Sequence, residues 1–413
     1  MALGITDWIR SRVRNGRVLK MPPERMKAYQ LDALNRVLEA AGRTAPYGGY
    51  RPVAQLDDLR AFPVVDREYL MSFDIADRIS TPRADLRTGL TTGTTGHPMM
   101  TMRTPDESAF QAVLIRRERQ AAGTGWPARR LVLNFTMDAD APPVIRRRHV
   151  QVPGWAAPAK QVEAVRRFRP TVLSGPSSVL LELADVMDET ISVDTLATYG
   201  EFVSDADRDE LSRVFGGRVV DLYACSEIGH IAWQCRRAAG YHINADNVFV
   251  EILDDEDRPV SDGEAGHIIL TGLAQATTPL VRYRIGDLGR LLPGACGCGI
   301  TLPLMAQPEG RDVDCLVGLD GNRVSPMRFA LYRVGRYHDR IRRWRLTQRG
   351  VDDLLAEVVF VDEPVPGLAE EMRVAWSREL RGPVNVELRA VDRLDVPRGE
   401  KFRWVRSLVA TGR

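Results

Sequence analysis

The stretch Asp205–Glu227, DADRDELSRVFGGRVVDLYACSE, decides the fold. DADRDELSRVF reads as a helix, and RVVDLY (Arg218–Tyr223) is a β-branched run that reads as a strand. Just upstream, PTVLSG (Pro170–Gly175) is a second such run and precedes a helix near Ser177–Met187. Strands alternating with helices predict an α/β core in which helices pack on a mostly parallel sheet. Glu227 then falls on the loop at the carboxyl end of a parallel strand, where open α/β sheets place ligands. A carboxylate there suits a Mg²⁺ bridging nucleotide phosphates, although a single Glu is more commonly a surface acid.

Three further stretches carry chemistry. LTTGTTGHPMM (Leu90–Met100) has the threonines and glycines of a phosphate loop, which binds through backbone N–H groups and hydroxyls. His97 and Pro98 follow Gly96 where a Walker loop needs Lys and Ser/Thr, so that mechanism is excluded. The helix after the loop opens with a capping box, Thr104 as N-cap, Pro105 next and Glu107 as the returning acid, and runs to about Ala122. In TTPLVRYRIGDLGRLL, LVRYRIG reads as a strand, two arginines flank Tyr283, and Asp287 follows the glycine. An acid beyond a strand can accept ribose hydroxyls and an arginine can pair with phosphate; a hairpin with an ion pair explains the same residues. In RLDVPRGEKFRWVRS, a tight loop presents Lys401, which can offset charge developing at a reacting phosphate.

Around these, Leu31, Leu34, Leu38 and Ala41 mark an amphipathic amino-terminal helix. Past Asn247 the texture becomes β-rich, with NVFVEIL, GHIILTGL and LVRYRIG in succession. From about Asp320 a compact α+β unit follows, with its boundary in Gly310–Gly321. Net charge is +2, with 44% hydrophobic and 27% charged residues in 413, giving no electrostatic case for nucleic acid or membrane. GRYHDRIRRWRLTQRG reads as a solvated strand face. No secretory core opens the chain and no apolar run is long enough to span a bilayer, so a cytoplasmic location is expected. Of five cysteines, Cys235, Cys296 and Cys298 combine with His242 into a closed tetrahedral set expected to hold structural Zn²⁺. The other reading of these cysteines is small buried hydrophobes.

In order and spacing, these motifs resemble the adenylate-forming superfamily of acyl-CoA synthetases and adenylation domains, in its phenylacetate–CoA ligase-like branch. The resemblance spans nearly the whole chain, with weaker matches at FPVVDREYL, RPTVLSGPSSVL, GEAGHIIL, EGRDVD and DGNRVSP. It implies that Thr91, Thr92, Gly93, Thr94, Thr95 and Gly96 embrace the ATP phosphates. Tyr223, Ser226 and Glu227 match Tyr-x-x-Ser-Glu, whose acid holds Mg²⁺. Asp287 and Arg311 would hold the ribose, Gly200 and Glu201 would precede the adenine pocket, and Lys401 would be the catalytic lysine. The implied architecture is a core over 1–311, with its zinc-bearing β-rich part at about 235–311, and a small mobile lid over 312–413.

The implied reaction is ATP-dependent activation of an aromatic or arylacetic acid as an acyl-adenylate, then transfer to a thiol, most simply CoA. Several positions depart from the family. His97 replaces a lysine, Val313 stands at the hinge, Phe202 follows Glu201, the Arg398–Lys401 loop is one residue short, and Gly123–Gly154 is compressed. The hinge change motivates a carrier-protein thiol or an amine as the alternative acceptor. A zinc-stabilised binding protein without catalysis is the alternative of another class.

Overall fold

In the computed structural model, the residues described are 15–90, 99–125, 127–134, 137, 141–154, 156–187, 191–310, 315–321, 323–324, 329, 340–394 and 403–409. Chain contacts divide into two compact units. The first comprises Met1–Gly200, Leu211–Ile285 and Gly289–Gln307; the second comprises Glu201–Glu210, Gly286–Leu288 and Pro308–Arg413.

The strands of the first unit are β1 (Arg87–Leu90), β2 (Met100–Arg103), β3 (Arg130–Asn134), β4 (Val144–Arg146), β5 (His149–Pro153), β6 (Val172–Gly175), β7 (Thr195–Tyr199), β8 (Arg218–Cys225), β9 (Gly229–Gln234), β10 (Tyr241–Ile243), β11 (Val248–Leu253), β12 (Gly266–Gly272), β14 (Leu291–Leu292) and β15 (Leu304–Met305), with β13 (Tyr283–Gly289) divided between the units because its Gly286–Leu288 belong to the second. Ten of them form one sheet in the order β14-β15-β10-β9-β8-β7-β6-β3-β5-β4. Its centre, β5-β3-β6-β7-β8, is parallel, as the alternation of strands and helices predicts. The rest is antiparallel, so the sheet is mixed. The reason is local: β8 is followed by a three-residue turn instead of a helix, and a strand that returns through a hairpin must run antiparallel. The β-rich segment is therefore shared. β9, β10, β14 and β15 extend the large sheet, while β11-β12-β13 form a separate three-stranded one.

The helices of this unit are α1 (Pro23–Ala41), α2 (Arg67–Met71), α3 (Pro105–Ala121), α4 (Pro158–Phe168) and α5 (Ser177–Asp185). α6 (Asp205–Phe215) spans the division between the units. Alternation along the parallel strands sorts their two faces. Leu131, Leu133, Leu173, Leu196 and Val219 pack with Val162 and Val165 of α4 and Leu180 and Leu183 of α5. Val172, Ala197 and Val220 point the other way and meet Ala122 at the end of α3. Burying each such leucine contributes about 1.5–3 kcal/mol, which fixes register because a one-residue slip would exchange the faces.

The capping box of α3 forms as expected: Thr104 Oγ1 accepts from Glu107 N, and Glu107 returns to Thr104 N at 2.8 Å. Inside the core, Arg117 of α3 forms a bidentate pair with Asp246 at 2.6 and 2.7 Å, both side chains essentially inaccessible. Asn244 Oδ1 accepts from Arg117 and from Trp233, and Asn244 Nδ2 donates to Glu118. A buried ion pair is tolerated only when its remaining valences are met. Meeting them here locks α3 in place against β9.

In the second unit, β16 (Leu316–Val317) and β17 (Arg323–Val324) form a short ribbon. β18 (Ile341–Gly350), β19 (Asp353–Phe360), β20 (Asn385–Ala390) and β21 (Val405–Ser407) form a sheet ordered β20-β19-β18-β21. α7 (Leu368–Glu379) buries Leu368, Met372, Ala375 and Trp376, a helical spacing that fills the core with Leu346, Leu354 and Val358. On β18, Arg349 pairs with Asp353 and Glu387, and Arg345 lies 3.9 Å from Glu357. Arginines engaged by acids fit the reading of this segment as a strand face.

Candidate active site

Glu227 sits in the turn between β8 and β9, beyond the carboxyl ends of the parallel strands, and is 8% exposed. Arg67 Nη1 lies 3.7 Å from its Oε1, and the Tyr283 hydroxyl donates to the same oxygen at 3.4 Å. Among the described residues both side-chain contacts fall on Oε1. Burial, reinforced by the Glu227 charge, pushes the Tyr283 phenol well above its usual range, so it stays a neutral donor. Cys225 accepts from Ile228 N and is half-buried, a packing role.

Arg67 and Tyr283 come together through a short backbone pairing. Val65 bridges Tyr283 in parallel, with Val65 N donating to Arg282 O at 3.0 Å and Arg284 N to Val65 O at 2.8 Å. Asp66 then caps α2, accepting from Tyr69 N, and Arg67 is the first residue of that helix. The weak motif FPVVDREYL thus acquires a physical role.

Leu90 pairs with Met100 and Arg87 with Arg103, so β1 and β2 form an antiparallel pair; Thr91, Thr92, Gly93, Thr94, Thr95, Gly96, His97 and Pro98, which lie between them in sequence, are outside the described residues. The base of that pair reaches the Glu227 turn directly. Arg103 Nη2 donates to the carbonyls of Ser226 at 2.8 Å and Glu227 at 2.9 Å, while its Nε donates to Gln275 at 2.7 Å. From α3, Gln111 Nε2 donates to Ile228 O and its Oε1 accepts from His230 N. Gly229 adopts φ +90°, and a Cβ there would stand 2.1 Å from Gln111 Oε1, so glycine is needed for that approach. Arg67, Arg103 and Gln111 were not among the residues singled out from sequence. No periodicity or spacing marks them, because each acts across a distance in the chain.

Tyr223 is on β8 and half-buried, and Ser226 is exposed in the turn. Gly200 follows β7 with φ +78°, and Glu201 and Phe202 come next. Two expectations for TTPLVRYRIGDLGRLL are corrected. The strand begins at Tyr283, because Arg282 has φ 47° and cannot continue a strand backwards, and Asp287 lies within β13 instead of beyond it. Arg282 is turned into a buried pair with Glu251 at 3.2 Å, and Arg284 pairs with Asp257. Neither arginine of this motif is without an acid. Leu288 exchanges backbone hydrogen bonds with Glu309 and Gly310. Asp287 precedes the first of these residues, and Arg311, which follows the last, lies outside the described residues, as does Lys401.

Cys235, His242, Cys296 and Cys298 converge, with all four ligand atoms within 4.8 Å of one another. Cys235 and Cys296 sulfurs are 3.4 Å apart, too far for a disulfide, and Cys298 Sγ is 3.4 Å from His242 Nε2. Four ligands at Zn–S distances span tetrahedron edges of about 3.8 Å, so this donor set fits Zn²⁺. Burial pushes His242 down to about 4, keeping the imidazole neutral and its lone pair available. Burial and the neighbouring thiols push Cys296 up to about 12, the mark of sulfurs crowded together.

Residues 89–278 match the family model of AMP-binding enzymes. The phenylacetate-coenzyme A ligase of Escherichia coli is 26% identical over 388 residues, 87% of each chain. That of Thermus thermophilus is 26% identical over 329 residues, 72% of this chain and 73% of the relative. A crystal structure of 2-hydroxyisobutyryl-CoA ligase with 2-HIB-AMP in the postadenylation state superposes with a TM-score of 0.80 at 20% identity, covering 95% of this chain and 91% of that one. No helix among the described residues is long and apolar enough to cross a membrane. In fold and in the order of its motifs, the chain is similar to AMP-binding enzymes and to phenylacetate-coenzyme A ligases.

Proposed function

We propose that the chain is an AMP-forming acid–thiol ligase. A substrate carboxylate oxygen attacks the α-phosphorus of ATP in line, pyrophosphate leaves, and an acyl-adenylate forms. The sulfur of CoA then attacks the acyl carbonyl and AMP leaves. The observation that carries this reading is Arg103, which fastens the base of the β1–β2 pair to the turn bearing Glu227. It ties the strand that follows the Thr/Gly segment to the carboxylate-bearing turn at the carboxyl end of the sheet, and fixed positioning of this kind supports phosphoryl chemistry.

Thr91–Gly96 would hold the β- and γ-phosphates, with Tyr223 and Ser226 beside Glu227. Glu227 would hold Mg²⁺, which needs only one or two carboxylates when the substrate supplies phosphate oxygens and which neutralises their charge. Asp287 and Arg311 would hold the ribose, Gly200 and Glu201 would border the base, and Lys401 would stabilise charge at the α-phosphate. The core would cover 1–311 and a mobile lid 312–413, turning about Gly310–Asp314 between the two half-reactions. Structural Zn²⁺ would be held by Cys235, His242, Cys296 and Cys298. An arylacetic or aromatic acid is the substrate class, supported by the phenylacetate-coenzyme A ligases among the relatives.

The test is ATP–pyrophosphate exchange across a panel of carboxylic acids, followed by CoA, holo-carrier protein or amines as acceptor. Exchange with an aryl or arylacetic acid and its loss by about 10²-fold in Lys401→Ala are expected. If no acid supports exchange, the enzyme reading fails and the binding-protein reading takes its place.

A further inference from the structure

The opposite end of the parallel strands carries a second set of charges that the reaction above does not use. Arg146, His149, Arg130, Val172, Thr195 and Arg218 are register partners in a single row across β4, β5, β3, β6, β7 and β8. Register partners in a sheet present their side chains to the same face, here the face on which Ala122 meets Val172. The row marks the amino ends of the parallel strands. β8 then runs eight residues before the turn with Glu227, a separation of about 25 Å at about 3.3 Å per residue.

Arg130 in this row is 7% exposed. Among the described residues its side chain makes one hydrogen bond, Nη2 to Thr124 O at 2.8 Å. Burial pushes its guanidinium down to about 9, and the neighbouring charge that acts on it, Arg119 of α3, is of like sign. Burial and the charges of Arg119, Arg130 and Arg146 together hold the His149 imidazole below its usual value. The Gly123–Thr124 turn gathers another cation, for a Cβ at Gly123 would stand 2.5 Å from Arg236 Nε.

Among the described residues no carboxylate forms an ion pair with Arg119, Arg130, Arg146 or Arg236. Glu118 is the acid nearest in charge to Arg119, but its oxygens are taken by His230 and Asn244. The carbonyl end of α3 offers little, because Glu118 O, Arg119 O and Gln120 O already accept from Ala122, Thr124 and Gly123. A buried cation persists when something compensates it.

We propose that Arg130, Arg119 and Arg236 at the Gly123–Thr124 turn, together with His149 and Arg146 on the adjoining strands, form a binding site for a phosphate or diphosphate group, distinct from the Glu227 site. Planar guanidinium forks match phosphate oxygens bidentately, and the anion supplies the charge that the protein leaves out. The phosphates of CoA and free phosphate or pyrophosphate share this chemistry. The site does not depend on the adenylation reading and is tested without ATP or acid.

Titration calorimetry with inorganic phosphate, pyrophosphate, CoA and 3′-dephospho-CoA on the full chain is the experiment. The same titrations are made on Arg130→Met, Arg119→Gln and Glu227→Gln. At least one of these ligands binds the wild type and Glu227→Gln alike, and binds Arg130→Met and Arg119→Gln at least about tenfold more weakly. CoA losing affinity without its 3′-phosphate identifies CoA as the source, and pyrophosphate binding as well as CoA identifies the free anion. In phosphate-free buffer Arg130→Met melts at or above the wild-type temperature, since an apolar chain replaces an uncompensated charge, and phosphate no longer raises it. Two results overturn the proposal. One is that no ligand distinguishes wild type from both arginine variants. The other is that Arg130→Met loses the same melting temperature with and without anion, which would make Arg130 a brace for the Thr124 carbonyl alone.

Discussion

The Cys235–His242–Cys296–Cys298 corner and the Glu227 turn are both candidate metal positions in one unit, and they are built in opposite ways. The corner gathers three sulfurs and an imidazole within 4.8 Å, from the end of β9, from β10 and from the loop before β15. The turn offers one carboxylate, whose Oε1 already faces Arg67 and Tyr283. A cation that stays for the life of the protein is held by donors the protein itself concentrates. A cation that arrives with a nucleotide needs one anchoring oxygen, because the phosphates bring the rest. In the corner the sequence invests in ligands; at the turn it invests in aim. The supports differ accordingly. The Trp233 ring lies 5.1 Å from the His242 ring and packs it in place, whereas the Glu227 turn is gripped through its backbone by Arg103 and Gln111.

The largest effect should follow from breaking the corner. In Cys296→Ser/Cys298→Ser, bound zinc should fall from about one equivalent to none, measured by elemental analysis. Since such binding energy is folding energy, the melting temperature should drop by about 10 °C or more. Full retention of zinc in the double variant would remove this ligand set and, with it, one side of the contrast.

That corner was legible before any coordinates because a closed zinc site needs residue types that are rare here, five cysteines and six histidines in 413 residues. Glu227 was legible for another reason. It follows a strand whose β-branched run is plain, so its place at a sheet end could be inferred from pattern alone. Arg67, Arg103 and Gln111 were not legible. Nothing in MTMRTPDE separates Arg103 from the chain's many other arginines; its role arises only when the base of the β1–β2 pair folds against a turn 123 residues away. The parallel centre of the sheet was readable from alternation, while its antiparallel extension was not, because it depends on a three-residue turn replacing a helix after β8. Asp287 was placed just past the strand instead of within it, because the strand starts three residues later than its apolar pattern suggests: Arg282 takes a positive φ that no propensity announces.

Glu227→Gln should give the reverse of the cysteine result. The amide keeps the shape and the contact with Tyr283 but removes the charge. Adenylate formation, followed by pyrophosphate exchange, should fall by about 10²-fold. The Arg67 contact is 3.7 Å long and partly exposed, so stability should change by no more than about 1 kcal/mol. A variant that unfolds, or that keeps full exchange activity, would show that the acid is structural and that the turn is not a metal position at all.

The smallest effect is the most informative about aim. Arg103 touches no proposed substrate atom; it is a positioning residue that spreads one guanidinium over two carbonyls and Gln275. Burial lowers its basicity, and Glu107 and Glu227 are among the charges that pull it back. Arg103→Gln cannot span these three acceptors, so the turn should relax by a fraction of an ångström. Misplacement on that scale should lower kcat for adenylation by about tenfold. It should also raise the magnesium concentration needed for half-maximal exchange, while leaving the KM for the acid near its wild-type value. A merely structural arginine would lower the melting temperature without moving the magnesium dependence. Arg103→Lys sharpens the test: it keeps the charge but loses the fork, and should resemble Arg103→Gln if geometry rather than charge aims the carboxylate.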